Sequence, residues 1–416
     1  MTGKLLIRTA TSALLVLLLG LPTLADNLTL RQAIETALQN NPSIAAEQLT
    51  ADAAAEAVRG AKALKNPEMI VAPNVAGSGG SDTAAMISQP LELNGSRKAR
   101  VRAASGEAAA ADAEAQIVSR DIVLKVKQLY WETARTIQVV DLNENNVTYL
   151  NTLRDAVRRQ VDVGRSPGSE LIKTDVELAR AQQELAQAQF ELDSKKAAFN
   201  SLLNRPGKSD FTLADKLSFV NINPDAEQLL AAGLSNRPEI RSATAEIGNA
   251  QGLVDMARAD YRPDVAIQAR KESFDSGDSG IAVSVTLPVF DWGSSKSSIR
   301  QAKILASGRM LQLEAVRNSI KLDIEQAILS EQTTAKVVRQ FEGGILDKTT
   351  QLAAMAQKGY EKGATSYLEV LEAQRTLQSI KADYISAIAD HSSAVAQLEW
   401  ATNVEIDAMS VGEVKK

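Results

Sequence analysis

The segment DVAIQARKESFDSGDSGIAVSVTLPVF, residues 264–290, decides the fold that we expect for this chain. Apolar residues alternate with polar or small ones on both sides of the Asp- and Gly-rich stretch at 275–280. A period of two with one apolar face predicts two β-strands, and the residues between them predict a turn. A fainter copy of the pattern occupies residues 68–92 around Gly77–Gly80. The sequence therefore predicts two β-hairpins.

The length of these strands bears on where they lie. Strands of about 10 residues match a tilted strand that crosses a membrane, which needs about 9–11. In lipid every backbone polar group needs a partner, so a strand pair with open edges cannot stay there alone. Four strands are too few, because the smallest single-chain barrels have about 8. Several copies of the chain are therefore expected to share one barrel. A soluble coiled-coil protein with small capping sheets remains the alternative.

The chain also repeats itself. Asn40–Ile44 recurs as Asn236–Ile240, and Gly164 corresponds to Gly363. Such self-similarity in constant order indicates one structural unit present twice. We expect a first repeat at 26–223, a second at 224–402 and a C-terminal tail at 403–416.

Long helices follow each hairpin. The segments at about 96–163 and 294–361 contain no proline, and each would span roughly 100 Å as a helix. A glycine turn then leads into a returning helix in each repeat. Apolar residues spaced by seven predict supercoiled helix pairs. The predicted seams are Val101, Ala104, Ala108, Ala111, Ala115, Val118, Ile122 and Leu129 on the first long helix, Leu171, Leu178, Leu185, Leu192 and Phe199 on its return, Ile299, Ala302, Ala306, Leu313, Val316, Ile320 and Ala327 on the second long helix, and Val370, Leu377, Tyr384, His391 and Leu398 on the second return.

Residues 1–25 have the character of a signal peptide. Lys4 and Arg8 precede the apolar run Thr9–Leu19, and small residues precede Asp26, so cleavage before Asp26 is expected. A retained anchor is the alternative. The chain is thus expected to be exported.

Composition excludes several classes of function. The chain has no cysteine, one histidine and a net charge of −5. Disulfides and thiolate metal sites are therefore excluded, and an acidic chain does not favour nucleic acid as a partner. One histidine and no phosphate-binding loop leave no basis for a Ser-His-acid triad or nucleotide hydrolysis. We expect neither an enzyme nor a cofactor.

Several segments resemble the TolC-like outer membrane efflux protein family. They are Leu28–Ile34 with Asn40–Pro42, the segment Gln89–Arg97, and both glycine-centred helix turns. The segment at 89–93 most resembles the branch that serves heavy-metal efflux pumps, the CzcC-like branch. The resemblance covers Leu28 to about Thr402.

This resemblance implies a mainly α fold with a small β part. Three chains would form a 12-strand β-barrel in the outer membrane and a tube of long helices through the periplasm. It further implies docking on a periplasmic adaptor (membrane fusion) protein and an inner-membrane transporter of the resistance-nodulation-division type. The duct would conduct substrate passively, with metal cations as the expected cargo. The alternative is a periplasmic coiled-coil adaptor or scaffold without a membrane barrel.

The resemblance also implies working residues near the glycine turns. Glu369 and Glu372 share one helix face, and in a trimer they would form rings of carboxylates that favour cations. Ser169 and Glu170 are their counterparts in the first repeat. An ordinary solvated helix face is the alternative.

Three further features belong to this end of the resemblance. Tyr360 matches a tyrosine that bridges neighbouring helices and helps to hold the entrance shut. Thr365 stands where well-known relatives have an arginine, which predicts a weaker ionic latch or none. Gly164 and Gly363 are the expected tips that face the adaptor, although reversing the helix would explain both equally well.

Two other residues have competing interpretations. His391 is the only histidine, and its seam position favours packing or a helix-interface hydrogen bond over metal binding. Trp292 is either an aromatic at the membrane interface or a packing residue where a strand meets a helix.

Overall fold

The computed structural model describes residues 26–73, 83–222, 225–271, 279–287 and 290–406. The expected signal peptide, most of both hairpin turns and the tail beyond Ile406 lie outside these residues. The first half contains β1 (Asp26–Leu28), α1 (Leu30–Asn40), α2 (Pro42–Lys62), β2 (Glu68–Pro73), β3 (Thr83–Pro90), α3 (Ser96–Asp162), α4 (Gly168–Leu202) and β4 (Phe211–Leu213). The second half contains α5 (Ala226–Asn236), α6 (Pro238–Ala259), β5 (Asp264–Lys271), β6 (Ser279–Thr286), α7 (Ser294–Gln340), a π-helical segment (Phe341–Ile345), α8 (Leu346–Glu361) and α9 (Tyr367–Thr402). The expectation of a mainly helical chain with a small β part is confirmed.

The four longer strands form one antiparallel sheet in the order β2-β3-β5-β6. Within each hairpin, Ile70 pairs with Met86 and Ile267 with Val283. Strand β3 joins the hairpins by pairing with β5. Strands β2 and β6 are the outer strands, so each has one edge without a partner in this sheet.

Apolar side chains on this sheet are largely exposed. The exposed fractions are 83% for Ile281, 67% for Val283 and 67% for Met69. Exposed apolar area of this extent is unusual for a surface that faces water. Among the described residues, none of the helices has the length and apolar character required of a membrane-crossing helix.

A second, two-stranded sheet fixes the start of the described chain. Strand β1 pairs in parallel with β4. The carboxylate of Asp215, just after β4, accepts hydrogen bonds from the Leu30 N–H at 2.7 Å and the Tyr130 hydroxyl at 2.9 Å. Tyr130 is fully buried. The first helix is thus tied to both α3 and the segment that leads to the second half.

The long helical segments that follow the two β-hairpins differ in continuity. Helix α3 runs for 67 residues without a break, as expected. The prediction of one continuous helix over 294–361 is wrong, because α7 and α8 are separated by the π-helical segment. Gly344 lies there at φ +119°, a conformation that side-chain-bearing residues rarely adopt. The adjacent glycines at 343 and 344 therefore explain the interruption.

The predicted seams are only partly buried. On the second returning helix Val370, Leu377, His391 and Leu398 are buried, as expected. On α3, however, only Ile122 of the predicted seam is buried and the rest is half-exposed, whereas Ala99, Ala103 and Gly106 are buried. Helix α6 packs on this stripe, where the backbone of Gly106 meets Asn249 and that of Gly252 meets Ala103. Small residues allow the helix of one half to contact that of the other directly.

Candidate functional site

Each returning helix begins after a turn with the same hydrogen-bond pattern. Gly164 has φ +68° and Gly363 φ +76°. The N–H of the next residue donates to a carbonyl five residues back, at 2.8 Å in both turns. This left-handed glycine conformation is a common way to end a helix. A side chain on either glycine would meet no atom within 4 Å, so both turns present open surface.

Each long helix and its returning helix form a helical hairpin, α3 with α4 in the first half and α7–α8 with α9 in the second. Contacts between these two helical hairpins bring the two turns to the same end of the molecule. The hydroxyl of Tyr360 donates to Oε2 of Glu170 at 3.3 Å, across 190 residues of sequence. The ring of Tyr360 also lies edge-on to Tyr367, with centroids 6.2 Å apart. Burial raises the pKa of both tyrosines, so each hydroxyl keeps its proton and can donate. The structure therefore brings together two of the residues that the resemblance singled out.

Thr365 is half-buried at the second turn, and its side chain lies against Gly359. A Cβ on Gly359 would collide with the hydroxyl of Thr365. At the corresponding first turn, the Ser166 hydroxyl instead donates to Oε1 of Gln160 at 2.9 Å. A small hydroxyl residue therefore occupies this position in both turns, packed on Gly359 in the second and hydrogen-bonded to Gln160 in the first.

Glu369 and Glu372 lie in the first two turns of α9, and both are exposed. The N–H of Glu369 donates to the Ser366 hydroxyl at 3.3 Å, which caps the helix. Within the part of the chain that the structure describes, no hydrogen bond or ion pair involves either carboxylate. Ser169 is exposed as well, whereas Glu170 is half-buried and accepts the bond from Tyr360. The Glu170 carboxylate is therefore hydrogen-bonded, whereas those of Glu369 and Glu372 have no partner among the described residues.

Sequence reasoning missed two contacts that lie farther from the turns. The hydroxyls of Thr174 and Tyr367 are 2.6 Å apart, and both residues are buried. Beyond them, Nε of Arg375 donates to Oε2 of Glu177 at 3.2 Å. No sequence signal indicated them, because Tyr360 and Tyr367 lie on different helices, on either side of the second turn. With Tyr360–Glu170, these contacts form three successive links between the hairpins.

His391 packs as its seam position predicts. It is 1% exposed, and its Nε2 lies 3.0 Å from the carbonyl oxygen of Val220. Among the described residues, no cluster of three or more His, Asp or Glu side chains is arranged to hold a metal ion. Trp292 is 98% exposed, so its alternative role in packing within the chain is wrong.

The sequence pattern of the family described as "Outer membrane efflux protein" matches residues 33–205 and again 229–404. The chain belongs to the outer membrane efflux protein family. The two matched segments together cover most of the chain, and the resemblance inferred from sequence is confirmed. This match favours the outer-membrane interpretation over the adaptor or scaffold alternative.

Individual members of the family are similar over nearly the whole chain. The cobalt-zinc-cadmium resistance protein CzcC of Cupriavidus metallidurans is 27% identical over 90% of this chain and 90% of its own length. The outer membrane protein TolC of Escherichia coli is 22% identical over 88% of this chain and 80% of its own. The open-state structure of the MtrE outer membrane channel from Neisseria gonorrhoeae superposes with a TM-score of 0.77 and 20% identity, covering 91% of this chain and 89% of that one. This last likeness shows that the fold is shared.

Proposed function

We propose that three copies of this outer membrane efflux protein form one exit duct with a shared 12-strand β-barrel. The single observation that carries the proposal is the sheet, whose outer strands β2 and β6 each leave one edge without a partner in it. Its exposed apolar side chains suit lipid, but an open edge does not. Pairing β6 of one copy with β2 of the next closes the ring.

Disulfide cross-linking tests this closure. The chain lacks cysteine, so Met69→Cys and Ile281→Cys together would introduce the only thiols, one on each outer strand. We expect oxidation in outer membranes to produce covalent dimers and trimers, while either single variant produces no trimer. Absence of trimers under conditions that oxidise a control pair would contradict the shared barrel.

We also propose two repeats per chain, at 26–223 and 224–402. The double match to the family pattern supports this division. Each half contains, in order, two short helices, a strand pair, a long arm, a glycine turn and a returning helix. Three chains with two such units would surround the channel with six helical hairpins whose tips carry Gly164 and Gly363 toward the adaptor.

Glu369 and Glu372 are proposed to line the constriction at this end. Both carboxylates are exposed next to the second turn, and three copies would place six negative charges around one axis. Rings of carboxylates favour cations in a pore. Ser169 and Glu170 would contribute from the first hairpin, and the contact between Tyr360 and Glu170 would hold the two hairpins together at the entrance.

Conductance in planar bilayers tests the proposed constriction. Changing Glu369 and Glu372 to Ala should reduce the preference for cations over anions. The matched control changes Glu35 and Glu107, two exposed acids elsewhere in the chain, and should leave selectivity unchanged. Equal selectivity in all three proteins would exclude the constriction.

We propose heavy-metal cations as the cargo and a periplasmic adaptor with a resistance-nodulation-division transporter as partners. The similarity to CzcC, named for cobalt, zinc and cadmium resistance, supports this assignment. A strain without the gene should lose tolerance to divalent metals but keep its tolerance to hydrophobic drugs. Loss of drug tolerance alone would contradict the metal assignment.

A further inference from the structure

The four-stranded sheet is connected to the helices at one of its two ends. In this antiparallel sheet β2 and β5 begin where β3 and β6 end. Each strand therefore joins a helix at the same end, β2 to α2, β3 to α3, β5 to α6 and β6 to α7. We call these four connections the junction, and we define it as residues 62–68, 92–100, 258–264 and 290–300.

Every connection of the junction exposes a large apolar or aromatic side chain. Trp292 is 98% exposed and Phe290 is 85% exposed. More than half of the surface of each of the others is exposed as well, namely Leu64, Leu93 and Tyr261. Exposed apolar groups that lie together in this way mark a surface for binding another molecule or a membrane. The apolar surface of the sheet therefore continues onto the junction.

Trp292 has, in addition, a backbone conformation that bulky residues rarely adopt. Its φ is +50°, in the left-handed region, where a side chain other than that of glycine is uncommon. Its indole forms no hydrogen bond or ring contact with any described residue, so no contact of the ring within this part of the chain offsets the strain. Backbone strain of this kind is concentrated at functional sites. It indicates that the indole contacts something outside the chain.

Lysine and arginine residues occupy the same four connections. The junction carries nine Lys or Arg and five Asp or Glu residues, although the chain as a whole has a net charge of −5. Each connection contributes at least two of the basic residues. The four lysines of the junction are exposed and form no ion pair with a described residue; they are Lys62, Lys65, Lys98 and Lys296.

The acidic residues of the junction are mostly engaged within the chain. The Glu92 carboxylate pairs with Arg100 at 2.6 Å. The carboxylate of Asp264 accepts a hydrogen bond from Asn94 at 2.7 Å, and that of Asp291 accepts from two backbone N–H groups of its own turn at 3.0 and 3.1 Å. The lysines, by contrast, keep their charges available. The junction therefore presents positive charge beside an apolar and aromatic surface.

We propose that the junction binds the headgroups of anionic phospholipids in the membrane leaflet that faces the periplasm. The proposal rests on the barrel proposed above, which would place the sheet among acyl chains and the junction at the level of the headgroups. Tryptophan and tyrosine favour that level, and lysine can lay its apolar stem along a hydrophobic surface while its charge reaches a phosphate. Each basic residue near an anionic surface strengthens binding about fivefold.

Charge favours lipid over a neighbouring copy as the partner of this surface. Copies in a ring would lie with their junctions at the same level, and each junction has the same excess of positive charge. Contact between two junctions would therefore bring like charges together, which is costly. A lipid phosphate supplies the opposite charge, and its acyl chains cover the exposed apolar groups.

Quenching of tryptophan fluorescence by brominated lipids tests the proposal on the full mature protein in vesicles. The vesicles contain phosphatidylglycerol and phosphatidylcholine in equal amounts, with bromine on the acyl chains of one lipid or of the other. The emission of Trp292 is the difference between each protein and the same protein with Trp292→Phe. We expect phosphatidylglycerol to be enriched about fivefold around Trp292. The enrichment should disappear in about 1 M salt, where the Debye length is about 3 Å.

Two sets of substitutions show whether the junction lysines cause the enrichment. Changing all four of them to Gln should lower the enrichment at least about twofold. The matched control changes four exposed lysines of the long and returning helices to Gln and should keep the enrichment of the unmodified protein. These control residues are Lys173, Lys321, Lys348 and Lys358.

Three results would overturn the proposal. They are equal amounts of the two lipids around Trp292 in the unmodified protein, the same enrichment in both lysine variants, and no quenching of Trp292 by either lipid. The last result would indicate that a neighbouring copy covers the indole. The disulfide test of the outer strands reports on the barrel separately. Cross-linked trimers without enrichment would remove the lipid site and leave the barrel, whereas loss of both trimers and quenching would contradict both proposals.

Discussion

The long helices that follow the two β-hairpins correspond in the repeat but differ in continuity. Helix α3 continues for 67 residues. Its N-terminal part contacts α6 of the second half, where the Gly106 backbone of α3 and the Gly252 backbone of α6 closely approach the other helix. The second arm is interrupted at 341–345 around Gly344. Within this break, the carboxylate of Glu342 accepts a hydrogen bond from the Tyr384 hydroxyl of α9 at 3.0 Å. A repeated unit thus keeps its order of elements, while two adjacent glycines interrupt the long helix in one copy.

The halves also differ where a short helix meets the helix after it. Pro42 and Pro238 each occupy the first turn of the second helix. In the first half the Asn41 side chain donates to the Leu202 carbonyl at the end of α4. In the second half Arg237 donates to the Ala401 carbonyl at the end of α9. The same connection is made by a neutral amide in one half and by a buried cation in the other.

The largest expected effect separates these two connections. Arg237 is 3% exposed, pairs with Glu239 and Asp323, and stacks on Trp400. Arg237→Met leaves the half-buried carboxylates of Glu239 and Asp323 without this partner and the Ala401 carbonyl without its donor, and should lower the free energy of unfolding by about 3–4 kcal/mol. Asn41→Ala removes a neutral cap and should cost about 1 kcal/mol. Urea unfolding followed by circular dichroism checks both, and equal losses would contradict the distinction.

The close contact between the halves is the next target. Gly252→Val would place a Cβ against the backbone of Ala103, and overpacking of this kind should cost about 3 kcal/mol. Gly248→Val, on the same helix with no atom within 4 Å of its Cβ, is the matched control. It should be neutral or slightly stabilising, because valine favours helix more than glycine does. Similar urea midpoints for the two variants would show that α3 and α6 can separate freely.

Acid should weaken the connection made by Arg237 in the second half but not the one made by Asn41 in the first half. Burial alone would raise the pKa of Glu239, but hydrogen bonds from the guanidinium groups of Arg237 and Arg120 together outweigh it and lower this pKa to about 2. The stability that the ionised Glu239 gains from these two arginines is therefore complete above pH 4.5 and is lost as the pH falls toward about 2. We expect a loss of about 2 kcal/mol after allowing for solvent screening. Glu239→Gln should flatten this part of the pH profile of urea unfolding, and an unchanged profile would exclude the pair as its source.

Substitutions at the break between α7 and α8 should change the free energy of unfolding least. Gly344→Ala forces a side chain into a positive-φ conformation and should cost about 1 kcal/mol. Gly343→Ala, whose Cβ would meet no neighbour, should be neutral or slightly stabilising. The same unfolding assay compares them. A more stable Gly344→Ala protein would indicate that the arm straightens into continuous helix at little cost.

Much of the fold and part of the site follow from local patterns. The period of two at 264–290 identified β5 and β6, the paired glycines marked both helix turns, and spacing by seven placed His391 at a buried interface. For the contacts near the turns, the family pattern indicated Tyr360 and Glu170. It did not indicate Thr174 with Tyr367 or Glu177 with Arg375, since a contact across two helices depends on their relative rotation, which short-range spacing does not encode.

The amino-acid sequence alone determined the order of elements, the strand faces and the turns, because periodicity and backbone preference act over a few residues. Packing between the halves determined the buried side of α3. Its alanines lie on several faces and therefore do not favour one seam over another, whereas the closely approaching backbone of α6 selects Ala99, Ala103 and Gly106. The break at Gly344 is likewise a property of the folded hairpin, because glycine permits a positive φ but does not require it.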